Sequence, residues 1–71
     1  MATGPQDLTA AERSLVGAAL VDAYCTTRRA RAALATAFGE SHPEVRSADV
    51  DLQTLVTGLR KIAPRLVPVG A

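Results

Sequence analysis

TAAERSLVGAALVDAYCTTRRARAALATAF, from Thr9 to Phe38, is the stretch that decides the fold of this chain. It contains no proline, and Val16, Leu20, Ala23, Thr27, Ala30, Leu34 and Ala37 recur in alternating steps of four and three. Steps of that size keep side chains on one stripe of an α-helix. Thr9 and Glu12 have the spacing of a capping box, in which the threonine oxygen and the glutamate each satisfy an early backbone N–H. Gly39 is a natural stop, because glycine adopts positive φ without steric penalty. The pattern predicts a first helix over about 9–38.

Beyond the glycine, Ser41, His42, Pro43 and Glu44 read as a second capping box with proline in the first turn, where a missing N–H costs nothing. Val45, Ala48, Leu52, Leu55, Leu59 and Ile62 then form a clean apolar stripe, widened by Val56 and Ala63. Arg46, Gln53, Thr54, Thr57 and Lys61 make the opposite face polar. Pro64 restricts Ala63 and cannot continue the helix. The second helix is therefore expected over about 42–63, after a turn at 39–41.

So short a connection leaves the helices as antiparallel neighbours, and the fold class is all-α, an antiparallel two-helix hairpin over residues 9–63. Residues 1–8, with Gly4 and Pro5, read as a flexible arm. Residues 64–71, with Pro68 and Gly70, read as an extended tail that packs back on the helices, the alternative being a docking peptide for a partner. Folding about the turn sets Arg28, Arg29 and Arg31 opposite Asp49 and Asp51, and Asp22 near Arg60. The three arginines also lie toward the negative end of the first helix's dipole.

The first helix is apolar on more sides than one neighbour can cover. Leu15, Ala18, Val21, Cys25 and Ala32 lie away from its main stripe, and Gly17, Ala18 and Ala19 permit close approach of another helix. A helix of this kind is normally buried on more than one face. Those five residues are the expected interface, with two hairpins self-associating into a four-helix bundle. The small size points the same way. With 71 residues and only 3% aromatic content, a core of alanine, valine and leucine supplies limited stability alone.

Composition narrows the function. The net charge of +1, with signs interspersed, creates no field that demands nucleic acid or an anionic membrane. Neither a signal peptide nor a spanning segment is indicated, and no membrane role is expected. Cys25 is the single cysteine, so an internal disulfide is impossible and a reducing, cytoplasmic setting is the simpler inference. The single histidine, His42, sits in the turn, where capping suits it better than acid–base or metal chemistry. Asp49 and Asp51 point to different sides of a helix, and no phosphate loop, zinc motif or nucleophile elbow is present. No catalytic residue, metal or cofactor is expected.

The residues thus point to a small non-catalytic protein–protein interaction module, an oligomerising or adaptor subunit whose partners are itself, as a homodimer, and a larger protein. The alternative is a small dimeric regulator that binds nucleic acid through Arg28, Arg29 and Arg31, with Arg46 as a possible addition.

Overall fold

The structure, a computed structural model, describes residues 8–71. The expected arm at 1–8 lies outside the described residues except for Leu8. Two helices, α1 (Ala10–Phe38) and α2 (Pro43–Ile62), pack as an antiparallel hairpin, and a short 3-10 turn at Pro64–Leu66 follows. No strand occurs among the described residues. They extend 44 × 24 × 16 Å, so the long axis of the molecule is the length of α1.

The start of α1 follows the capping chemistry. Thr9 N–H donates to Glu12 Oε1 at 2.8 Å, and Glu12 N–H donates to Thr9 Oγ1 at 3.1 Å. Two of the orphan donors at the helix start thus find acceptors. At the other end the Gly39 N–H donates to the Ala35 carbonyl at 2.8 Å, with φ 94° and ψ 156°. That backbone region is open essentially to glycine alone, so the helix ends where a side chain would be strained.

The second cap differs from the expected box. His42 is the N-cap of α2, and its Nδ1 accepts the Glu44 N–H at 3.1 Å. Pro43 explains the shift by one residue: its ring holds the preceding residue extended, here at φ −66° and ψ 140°, which is cap geometry. Ser41 is left in the turn. The Phe38 and His42 rings stack across that turn with centroids 4.7 Å apart.

Packing is uneven between the helices. Val45, Ala48, Val56 and Leu59 of α2 are buried, Leu52, Leu55 and Ile62 are half-buried, and the polar face is exposed as its periodicity requires. From α1 only Gly17 and Tyr24 are buried. The stripe that α1 turns inward is Arg13, Gly17, Leu20, Tyr24, Thr27, Arg31 and Leu34. It shares Leu20, Thr27 and Leu34 with the expected stripe, whose Ala23 is also half-buried, but is rotated by part of a turn, leaving Val16, Ala30 and Ala37 exposed. Tyr24 supplies the reason. A tyrosine removes far more apolar area from water than the alanines beside it, and α1 rotates to bury it.

The tail also departs from a wholly extended path. Leu66 N–H donates to the Ala63 carbonyl at 2.9 Å and Val67 N–H to that of Pro64 at 3.3 Å, closing a 3-10 turn over Pro64–Leu66. Proline fits the first position of such a turn for the same reason that it could not extend α2. This turn lies against α1 at Gly17. A Cβ there would sit 2.8 Å from both Ala63 Cβ and Leu66 Cδ1. Gly17 is thus committed to its own chain and does not serve contact with another molecule.

Candidate functional site

With α2 along one side and the 3-10 turn beside Gly17, much of the surface of α1 remains uncovered. Of the five expected interface residues, Leu15, Ala18, Cys25 and Ala32 are exposed, Leu15 at 73%. Val21 is half-buried, because the rotation that brings Tyr24 inward carries Val21 to the edge of the helix contact. The Cys25 thiol is free and exposed. Helical geometry puts Ala18, Val21, Cys25 and Ala32 on one stripe, again in steps of three, four and seven, with Leu15 on its flank. Apolar groups so aligned can take up another helix and offer no chemistry beyond the thiol.

The charged residues separate into two groups. Arg31 is held at the turn end by two carboxylates. Its Nε donates to Asp49 Oδ1 at 2.8 Å, its Nη2 to Glu40 Oε1 at 2.7 Å and its Nη1 to Glu40 Oε2 at 3.3 Å. Asp49 and then Glu40 raise the guanidinium pKa further above its already high ordinary value, so the charge is permanent. Glu40 is the partner that the sequence reading did not name, since it lies in the turn itself. Arg28, Arg29 and Asp22 are exposed and take part in no ion pair among the described residues. The expected facing of Asp22 with Arg60, and of Asp51 with the arginines, produces no ion pair among the described residues. Nor does the dipole hold the arginines, because the last turn of α1 has no basic residue and the effect fades within a turn.

At the open end of the hairpin a cleft lies between the first turns of α1 and the 3-10 turn, lined by Leu8, Arg13, Ser14, Ala63, Arg65 and Leu66 among others. The Nε of Arg13 is buried there without a hydrogen-bond partner among the described residues. At the turn end, His42 spends its Nδ1 on the Glu44 N–H. Cys25 stands thirteen residues up α1 from Phe38, roughly 20 Å of helix rise, so the thiol lies near the middle of α1 and well away from the imidazole at the turn. No group of three or more potential metal ligands occurs among the described residues. Among the described residues no helix is long and apolar enough to cross a membrane.

Comparison with known protein families, with curated proteins and with solved structures finds no match to this chain.

Proposed function

We propose that the chain is a small non-catalytic interaction module, an oligomerising or adaptor subunit, that associates through the side of α1 its own α2 leaves open. Two hairpins joined along that side make a four-helix bundle, whose outer surfaces and tails remain for a larger protein. One observation carries this reading: Leu15 is 73% exposed on a helix whose Ala18, Cys25 and Ala32 are exposed with it. A lone exposed leucine needs no explanation, but aligned apolar groups on an uncovered helix side do. The buried core is small, and association would add to it. The single free cysteine suits a reducing, cytoplasmic setting.

Light scattering across the micromolar range tests the proposal, with Ala18→Glu as the comparison. The natural chain should have the mass of a dimer, and the variant should be a helical monomer, since position 18 is exposed in the hairpin. A folded monomer at every concentration, with no partner retained from cell extract in an Ala18-dependent way, would overturn it. Binding of nucleic acid is the second reading, supported by the exposure of Arg28 and Arg29. It loses Arg31, whose donors are taken by Glu40 and Asp49. Anisotropy of labelled DNA over a salt series separates the two, because phosphate contacts weaken steeply with salt.

A further inference from the structure

Asp22 and Arg29 of α1 form no ion pair among the described residues, and their positions bear on how a second copy would lie. Leu15, Asp22, Arg29 and Thr36 are each seven residues apart, so they occupy one line along the flank of the stripe formed by Ala18, Val21, Cys25 and Ala32. All four flank residues are exposed. On that line the acid lies on the N-terminal side of the helix midpoint and the base on the C-terminal side. In an antiparallel pair of helices, equivalent flank positions face each other across the two-fold axis. We infer that α1 pairs with α1 of a second copy in antiparallel orientation, with Asp22 of each chain opposite Arg29 of the other and the two-fold axis passing within a turn of Cys25.

The register follows from arithmetic on the sequence. Positions facing each other on this flank sum to 51, since 22 + 29 = 51, and the same sum sets Leu15 against the Thr36 of the second copy. Both ion pairs and both apolar contacts form at once. In a parallel, in-register pair this flank would lie on opposite sides of the seam in the two copies, and Asp22 of one would not face Arg29 of the other. Small side chains at 18, 25 and 32 let the helices approach closely along the stripe between these flanks. This inference rests on the proposed association of two copies through α1 and adds its orientation and register.

Two measurements test it. In sedimentation, Asp22→Arg alone and Arg29→Asp alone should each weaken self-association by roughly tenfold, while the double variant Asp22→Arg with Arg29→Asp should restore it, because the pairs re-form with signs exchanged. Each variant's helical circular dichroism should match the natural chain's, since neither residue forms an ion pair within the hairpin among the described residues. Spin labels give the orientation. A label on Cys25 should report a short distance between copies. A label on Ala11→Cys in a Cys25→Ala background should report one of roughly 40 Å, from about 29 residues of helix rise. Short distances at both positions would mean a parallel pair and would overturn the inference while leaving association through α1 intact. An unchanged dimer in both single variants would overturn the register. A monomeric natural chain would overturn the inference outright, and retention of a larger protein through Ala18 would then decide whether the interaction reading survives.

Discussion

The turn end of the hairpin and its open end are closed by different means. At the turn, polar and aromatic groups do the work: Arg31 reaches Glu40 and Asp49, and Phe38 stacks on His42. At the open end no ion pair appears among the described residues. There the 3-10 turn presses Ala63 and Leu66 against a helix position that carries no side chain. α1 has nine more residues than α2, 29 against 20, so α2 alone cannot cover its first turns. The tail takes over that role. Exposed charge pairs adjust register but tolerate rearrangement, whereas a contact at van der Waals distance accepts only one shape.

The largest expected effect breaks the open end. Gly17→Val should destabilise the hairpin by about 2–3 kcal/mol, because the new methyl groups overlap Ala63 and Leu66 and must displace the 3-10 turn. Thermal melting gives the size, and faster amide exchange at residues 63–69 gives the place. A loss of stability without that exchange signature would mean the tail is not what closes this end. At the turn, His42→Ala should cost about 0.5–1 kcal/mol by removing the acceptor for the Glu44 N–H, and His42→Asn should recover it, since asparagine is a preferred cap. Chemical denaturation of the three proteins decides this.

Smaller effects sharpen the contrast. Arg31→Gln should lower the melting temperature in dilute buffer, and the gap from the natural chain should shrink in molar salt, where exposed pairs are screened. The gap produced by Gly17→Val should persist in salt, because it is steric. The open end also has one pH-dependent part. Hydrogen bonds from the Thr9 backbone and then its side chain lower the pKa of Glu12. A carboxylate whose folded pKa is depressed stabilises the fold above its unfolded value, about 4.3, and that contribution is lost as pH falls through the folded value. Glu12→Gln, which keeps the shape of the box, should therefore flatten the acid side of a melting temperature versus pH curve. An acid side as steep as that of the natural chain would remove Glu12 from the account.

What could be read before the structure, and what could not, divides along the same chemistry. The α2 stripe from Val45 to Ile62 was legible because its large aliphatic residues alternate with charged and hydroxyl side chains, leaving one possible inward face. The α1 stripe was legible only to within part of a turn. Alanine occurs on every side of that helix, so periodicity alone could not choose among faces, and the deciding groups were a tyrosine and the stems of Arg13 and Arg31. The same ambiguity assigned Gly17 to an outward contact and Val21 wholly to the interface. The cap at His42 required the effect of Pro43 on its neighbour, and the 3-10 turn required seeing that a proline which ends one helix can start another turn. Leu15, Ala18, Cys25 and Ala32 were identifiable as surplus apolar groups, but the alignment of Asp22 with Arg29 gains meaning only once Arg31 is known to be occupied elsewhere.

Tyr24 has a further consequence. It is the sole tyrosine in a chain without tryptophan, and it sits 8% exposed in the seam between the helices. The near-ultraviolet absorption and emission of the molecule therefore come almost entirely from one ring buried between the helices. Any event that parts α1 from α2, whether heat, denaturant or a partner that pries the hairpin open, should change that spectrum, while one that merely lies along the outer side of α1 should leave it nearly still. The protein carries its own optical gauge for telling docking from unfolding.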